Sequence, residues 1–347
     1  MNRNIQRYIG NDVLGRVLQF KDNSSLKDLP NTPQNLLKYA KRRVSPFISP
    51  YISDSLKIKM LESRMTDEEY LLSFYNAINM NFSKIKKEEK PVLSIVLSQT
   101  GAGKTELVKL ILKKRKNSII ISTDLFKKYN PKLNLIYEED PVYIGELTAI
   151  DSYDLANNIK EFALKNNYNL ICEFAPSQKE IIEVDTKYLT SKGYSIEYHI
   201  LAVGDLVSSL SIHFRYEKQI KEENYEKIKL TNLNRHDESY RELLNVIKDL
   251  PIDKTYIYRR GTEKERFVPQ LLEKTQGCSV QKLYLNLINE RENSNKLYAL
   301  GKGTNRSFLQ DFFKIKLLMN ERNASEDHFI QLKKIFERYI RYINFNK

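Results

Sequence analysis

The run Ser98-Gln99-Thr100-Gly101-Ala102-Gly103-Lys104-Thr105 is the part of this chain whose residue types and spacing most directly specify chemistry. It fits G-x-x-x-x-G-K-[ST] at Gly103, Lys104 and Thr105, with Ser98 in place of the leading glycine. Glycines let a backbone turn its N–H groups inward onto phosphates, and a helix N-terminus adds partial positive charge. The run is therefore expected to bind the phosphates of ATP (or GTP). Lys104 reaches the terminal phosphates in this reading, and the Thr105 hydroxyl holds Mg²⁺. A flexible glycine loop before a helix is the bland alternative; the flanking strand and helix argue against it.

Asp124 follows a second apolar run, and Lys127 lies three residues on. In an open α/β sheet the C-terminal ends of the strands face the ligand crevice, so Asp124 is expected on the same rim as the phosphate loop. An aspartate placed there can accept the proton of an acceptor hydroxyl during phosphoryl transfer. Helix capping by Thr123 or Asp124 is the competing structural role. Phosphoryl transfer also calls for cations, and Arg215, Lys229 and Arg235 follow the fourth predicted strand, where small kinases carry lids. No Walker B pattern is evident; Ile171-Cys172-Glu173 ends a short apolar run in an acid.

The elements that must position these residues are legible in the hydrophobic pattern. Val92–Leu97, Ile119–Ser122, Leu170–Cys172, Ile196–Val203 and Thr255–Tyr258 are short, β-branched or apolar runs separated by helical patterns. That order predicts an α/β fold of the P-loop NTPase type, with a mostly parallel sheet flanked by helices. Residues 1–90 read as a helical N-terminal region. Within it, Asp67–Phe82 has helical period through Tyr70, Leu71, Phe74 and Ile78 behind a Thr66/Glu69 capping pattern. Residues 91–264 form the kinase-like domain, and residues 265–347 a helical C-terminal region with apolar faces over Phe308–Met319 and Phe329–Ile343.

Bulk composition narrows the classes. Hydrophobic residues make up 41% of the 347 residues, enough for a core. The formal charge of +13 favours anionic partners such as nucleotides, nucleic acid or an acidic protein, although abundant Lys, Asn and Ile also suit an AT-rich coding sequence. Two cysteines, Cys172 and Cys278, and four scattered histidines show no metal-type spacing. No signal peptide and no bilayer-length apolar stretch is visible, so a cytoplasmic location and no membrane span are expected.

With these residues assembled, the region from about 65 to 260 resembles the zeta toxin family, small P-loop kinases of toxin–antitoxin systems whose known members phosphorylate UDP-N-acetylglucosamine on its sugar. The likeness rests on several stretches in order. They are the loop Gly101–Thr105, Asp124-Leu125-Phe126-Lys127 with Asn130-Pro131, Tyr168 to Glu173, Gly193-Tyr194, and Arg215-Tyr216-Glu217. The resemblance implies Asp124 as general base, with Lys104 and Arg215 on the transferring phosphate. Lys229 stands where a second arginine is expected, with His236-Asp237 fixing the register, and Glu173 helps organise the acceptor. The departures are Lys127 for an arginine, Phe174, Ala175 and Ser177 after Glu173, and Asn157 at an acidic sugar-contacting position. The phosphate machinery is thus better preserved than the sugar-binding set.

Two further readings stay open at this level. One is a polynucleotide or nucleotide hydroxyl kinase, which the charge favours, although no basic–aromatic stretch stands out. The other is a nucleotide-binding regulatory module without transfer. The resemblance also implies an antitoxin partner that blocks the ATP site, with inhibition in cis by the flanking helices as a variant.

Overall fold

The computed structural model describes residues 6–19, 33–46, 48, 52–176, 188–224, 228–248, 250, 254–262, 265, 267–274, 279–302 and 306–345. Ser177 and Cys278 lie outside the described residues. Among these residues the strands are β1 (Gln6–Tyr8), β2 (Lys41–Arg43), β3 (Val92–Leu97), β4 (Ser118–Ile121), β5 (Asn169–Phe174), β6 (Ser195–Ala202), β7 (Thr255–Arg259) and β8 (Gln270–Lys274). They belong to two compact units that interleave along the chain. The first takes Met1–Pro91, Asn117–Leu170 and Asn224–Lys229; the second takes Val92–Lys116, Ile171–Glu223 and Leu230–Lys347.

In the first unit, the helix Asp67–Phe82 buries Tyr70, Leu71, Phe74 and Ile78 completely, the stripe its period predicts. Its capping box is reciprocal. The Glu69 amide donates to the Thr66 hydroxyl (3.2 Å) and the Thr66 amide to the Glu69 carboxylate (2.7 Å). The N-terminal region is not only helical, because β1 and β2 pair antiparallel with Arg7 opposite Arg42. A pair this short is marginal alone, and the side chains of β2 anchor it. Arg42 donates to Asp151 (2.9 Å) and Asp67 (2.6 Å), and Arg43 to Asp154 (2.5 Å). Asp151 and Asp154 sit three residues apart on the helix Ala149–Lys165, hence on one face. Asp151 also accepts from the Met65 amide (2.6 Å).

The second unit holds most of the sheet. β3 pairs parallel with β6 (Ile95 opposite Tyr198), β6 parallel with β7 (Ile200 opposite Ile257), and β7 antiparallel with β8. β5 flanks the other side of β3. The fold is α/β with a mostly parallel sheet. Connections run to opposite sides of β3, so its C-terminal end is a topological switch point, the place where such sheets take ligands. The strand interior is Ile95, Val96, Leu97, Ile200, Leu201 and Ile257, all buried, as both-face coverage of a parallel strand requires. The C-terminal helices Val280–Leu300, Phe308–Glu321 and Glu326–Phe345 pack through stacked rings, with Phe308 and Tyr339 4.2 Å apart. Arg322 clamps the buried Glu217 of the helix Asp205–Lys221 through two hydrogen bonds (2.6 and 2.7 Å). Among the described residues, no helix is long and apolar enough to cross a membrane.

Candidate active site

The phosphate loop leaves β3 and enters the helix Lys104–Lys114, whose Leu107, Val108 and Ile111 are buried. Gly101 (φ 77°) and Gly103 (φ 100°) both occupy the left-handed region. At Gly101 a side chain has no room as well. An added Cβ would sit 2.0 Å from the Ser208 carbonyl oxygen and 2.8 Å from Ile212 Cγ1, so this loop lies directly on the helix Asp205–Lys221. The Lys104 ammonium donates to the carbonyls of Ser98 (3.0 Å) and Gln99 (2.9 Å), which holds it over the loop. Thr105 is exposed on the first helical turn.

Ser98 and Gln99 were expected among the nucleotide-binding residues, and their fully buried side chains turn the other way. Ser98 donates to the Leu201 carbonyl of β6 (2.7 Å), a bond the usual glycine cannot make. Gln99 donates to the Val203 carbonyl (2.8 Å) and the Ser208 hydroxyl (3.1 Å), and accepts from Arg291 (3.3 Å). Ser208 in turn contacts His236 Nε2 (2.8 Å), His236 Nδ1 lies 3.0 Å from Asp237, and Arg338 grips Asp237 at 2.7 and 2.5 Å. The tautomer with its proton on Nδ1 satisfies both neighbours of that histidine. These two side chains therefore fasten the loop to its support. Thr100, Ala102 and Gly103 complete the turn.

Arg215 is exposed on the helix Asp205–Lys221, four residues beyond Ser211 and so on the same stripe. Its neighbours Tyr216 and Glu217 are buried and face the C-terminal helices. Glu173 is partly buried near the end of β5.

In the first unit, Asp124 stands in the first turn of the short helix Thr123–Phe126, directly after β4. The cap position of that helix is Ser122, with no side-chain cap hydrogen bond, so the capping roles considered for Thr123 and Asp124 are not the ones seen. The Asp124 carboxylate is half exposed and meets two lysines, Lys127 Nζ at 3.1 Å and Lys229 Nζ at 3.1 Å. Lys127 is 1% exposed. Burial pulls its ammonium below the usual lysine range, and Asp124 opposes that shift. Glu146 joins this cluster and was missed from the sequence. Burial pushes its carboxyl up, while Lys229 and Lys127 pull it down. Lys229 also packs on Gly145, where an added Cβ would lie 3.2 Å from Lys229 Cγ. Asn157 is partly buried on the helix Ala149–Lys165, beside the ion-paired Asp154.

Residues 77–270 match the family model for zeta toxin. The chain belongs to the zeta toxin family. It is 26% identical over 201 residues to Toxin zeta of Streptococcus pyogenes, covering 54% of this chain and 64% of that protein. It is 28% identical over 161 residues to Toxin PezT of Streptococcus pneumoniae serotype 4, covering 44% of this chain and 61% of that one. It thus spans under two thirds of these relatives' own length. A chain solved from the PezAT chromosomal toxin–antitoxin system of S. pneumoniae shares the fold, with a TM-score of 0.51 and 18% identity over 68% of this chain and 98% of that one.

Proposed function

We propose that this protein is an ATP-dependent kinase acting as a zeta-type toxin, with the hydroxyl of a nucleotide-sugar as acceptor and UDP-N-acetylglucosamine as the first candidate. The observation that carries this reading is the phosphate loop: two left-handed glycines, a lysine held over the loop, and a helix start behind a buried central strand. Asp124 serves as general base, oriented by Lys127 and Lys229. Lys104 and Arg215 balance charge on the transferring phosphoryl group. Lys127, Lys229, Glu173 and Asn157 belong to the acceptor side.

Mg²⁺ fits this donor set. Thr105 offers one exposed hydroxyl on the first helical turn. Among the described residues there is no cluster of three or more acidic, histidine or cysteine side chains to form a dedicated cage. Mg²⁺ in such sites relies on one or two protein ligands, water and the phosphates themselves. When bound, the ion neutralises charge building between the β- and γ-phosphates. An antitoxin that covers the nucleotide site is the partner this reading entails.

The test is transfer of γ-labelled phosphate from ATP to UDP-N-acetylglucosamine. Asp124→Asn is expected to lose about 10²-fold or more of transfer while still binding ATP. The absence of transfer to any nucleotide-linked sugar, with Asp124→Asn matching the parent, refutes the kinase reading and leaves a nucleotide-binding module. The +13 charge favours one second reading, a polynucleotide acceptor. Labelled oligonucleotide 5′-ends, formed with a steep salt dependence, would replace the sugar.

A further inference from the structure

We propose that Arg260 is a phosphate-binding residue of the nucleotide site, taking the polyphosphate of a nucleoside triphosphate beside Gly103. This rests on the reading of the loop given above and adds a residue to it.

Arg260 directly follows β7, two strands from β3 in the parallel part of the sheet, so it emerges at the edge from which the phosphate loop leaves. A Cβ built on Gly103 would lie 4.0 Å from Arg260 Nε, which puts the guanidinium against the glycine that starts the loop's helix.

The backbone that carries it is tightly fixed. Arg259 pairs with Glu265 through both guanidinium ends, and the Thr262 amide donates to the same carboxylate (2.8 Å). Gly261 packs so closely that an added Cβ would fall 2.1 Å from the Val268 carbonyl oxygen. Successive side chains of an extended chain point to opposite sides. Arg259 is thus neutralised on one side while Arg260 is delivered to the other.

Among the described residues, what Arg260 meets there is a hydroxyl and not an acid: its Nη1 donates to Ser211 Oγ at 3.0 Å. The carboxylate that acts on its charge among the described residues, Asp311, is already held by Arg306 and by the Tyr298 hydroxyl. Burial, and next Arg306, hold the Arg260 guanidinium below its ordinary pKa. A partly buried cation with no carboxylate within ion-pair distance among the described residues is an unfavourable arrangement that an anion relieves. The planar fork keeps donors available beyond the one on Ser211, in the geometry that suits phosphate oxygens.

The helix Asp205–Lys221 then serves the whole edge. Ser208 supports Gly101, Ser211 orients Arg260, and Arg215 follows one turn later.

Calorimetric titration of the full chain with ATP and, separately, with inorganic tripolyphosphate tests this. Arg260→Met is expected to weaken both ligands about tenfold to a hundredfold, as loss of a charged hydrogen bond implies. Should that variant not fold, Arg260→Gln, which keeps a donor for Ser211, is expected to show the same loss. Tripolyphosphate affinity equal to the parent's in the folded variant overturns the proposal, including the case in which only ATP weakens through the base. A parent chain that binds neither ligand overturns the reading of the loop itself.

Discussion

Alanine at Gly101 carries two separable penalties, and a second glycine in the same unit isolates one of them. Both Gly101 (φ 77°) and Gly193 (φ 86°) are left-handed. A Cβ at Gly193 meets nothing within 4 Å, whereas at Gly101 it would lie 2.0 Å from a backbone oxygen and 2.8 Å from Ile212. Gly193→Ala should cost only the left-handed conformation, about 1–2 kcal/mol. Gly101→Ala adds overpacking of about 1–3 kcal/mol, because the Ser208 carbonyl belongs to a helix and cannot rotate away. The expected total is roughly 2–5 kcal/mol. At about 2–4 °C per kcal/mol this is a fall of several degrees or more in Tm, against a few for the control. Thermal melting of both variants, paired with ATP titration, reads the two effects. Only Gly101→Ala should lose nucleotide affinity, since relief of the clash must lift the loop from its supporting helix. Equal melting shifts with unchanged ATP binding would refute the claim that the loop is seated on Ser208.

Other expectations follow the same logic. Gln99→Leu strands the Val203 carbonyl and an Arg291 donor, so about 1–3 kcal/mol should be lost in a melt together with some ATP affinity; loss of stability alone would separate the network from the loop's function. Arg43→Met removes the guanidinium whose Nε holds the buried Asp154, leaving Arg64 at 3.5 Å as the remaining cation, and should cost about 3–5 kcal/mol in denaturant titration. Adding Asp154→Leu should recover most of it, and no recovery would count against the pairing. Burial, with His328 and Arg322 nearby, pushes His213 down to about 3. The unfolded chain therefore binds a proton below pH 6.5 that the folded chain refuses, and stability is full above that value and falls as the pH drops toward 3. Between pH 7.5 and 5.5 this group should cost about 1.4 kcal/mol. His328, pushed down to about 4 by burial and then Arg322, acts in the same direction. Melting curves that stay as steep in pH for His213→Gln as for the parent would contradict this.

The sheet was legible because its parallel strands are apolar on both faces. Val92–Leu97 and Thr255–Tyr258 stand out as short β-branched or apolar runs without polar alternation, and the structure places β3 and β7 there. The helix Asp67–Phe82 was legible from its cap and its stripe. The antiparallel edges were not. β2 is Lys41-Arg42-Arg43, which reads as solvated until Asp151 and Asp154 arrive from more than a hundred residues away. Long-range charge pairing leaves no local period. The same holds at the site. Lys104 and Asp124 carry local signals, a motif and a strand end. Glu146 and Arg260 have none beyond position, although Arg260, like Asp124, follows the end of a sheet strand.

The path of contacts from Arg338 through Asp237, His236 and Ser208 to Gln99 separates two boundaries that are easily confused. The match to the family model ends at residue 270, yet two of the side chains that steady the phosphate loop, Arg291 and Arg338, come later in the chain. A fragment ending at residue 270 would inherit the whole motif and lose part of its scaffolding. Swapping the last helices between relatives would then register as a change in nucleotide affinity, far along the chain from any residue that touches a nucleotide. The stretch matched by the family model is smaller than the network of contacts that holds the loop.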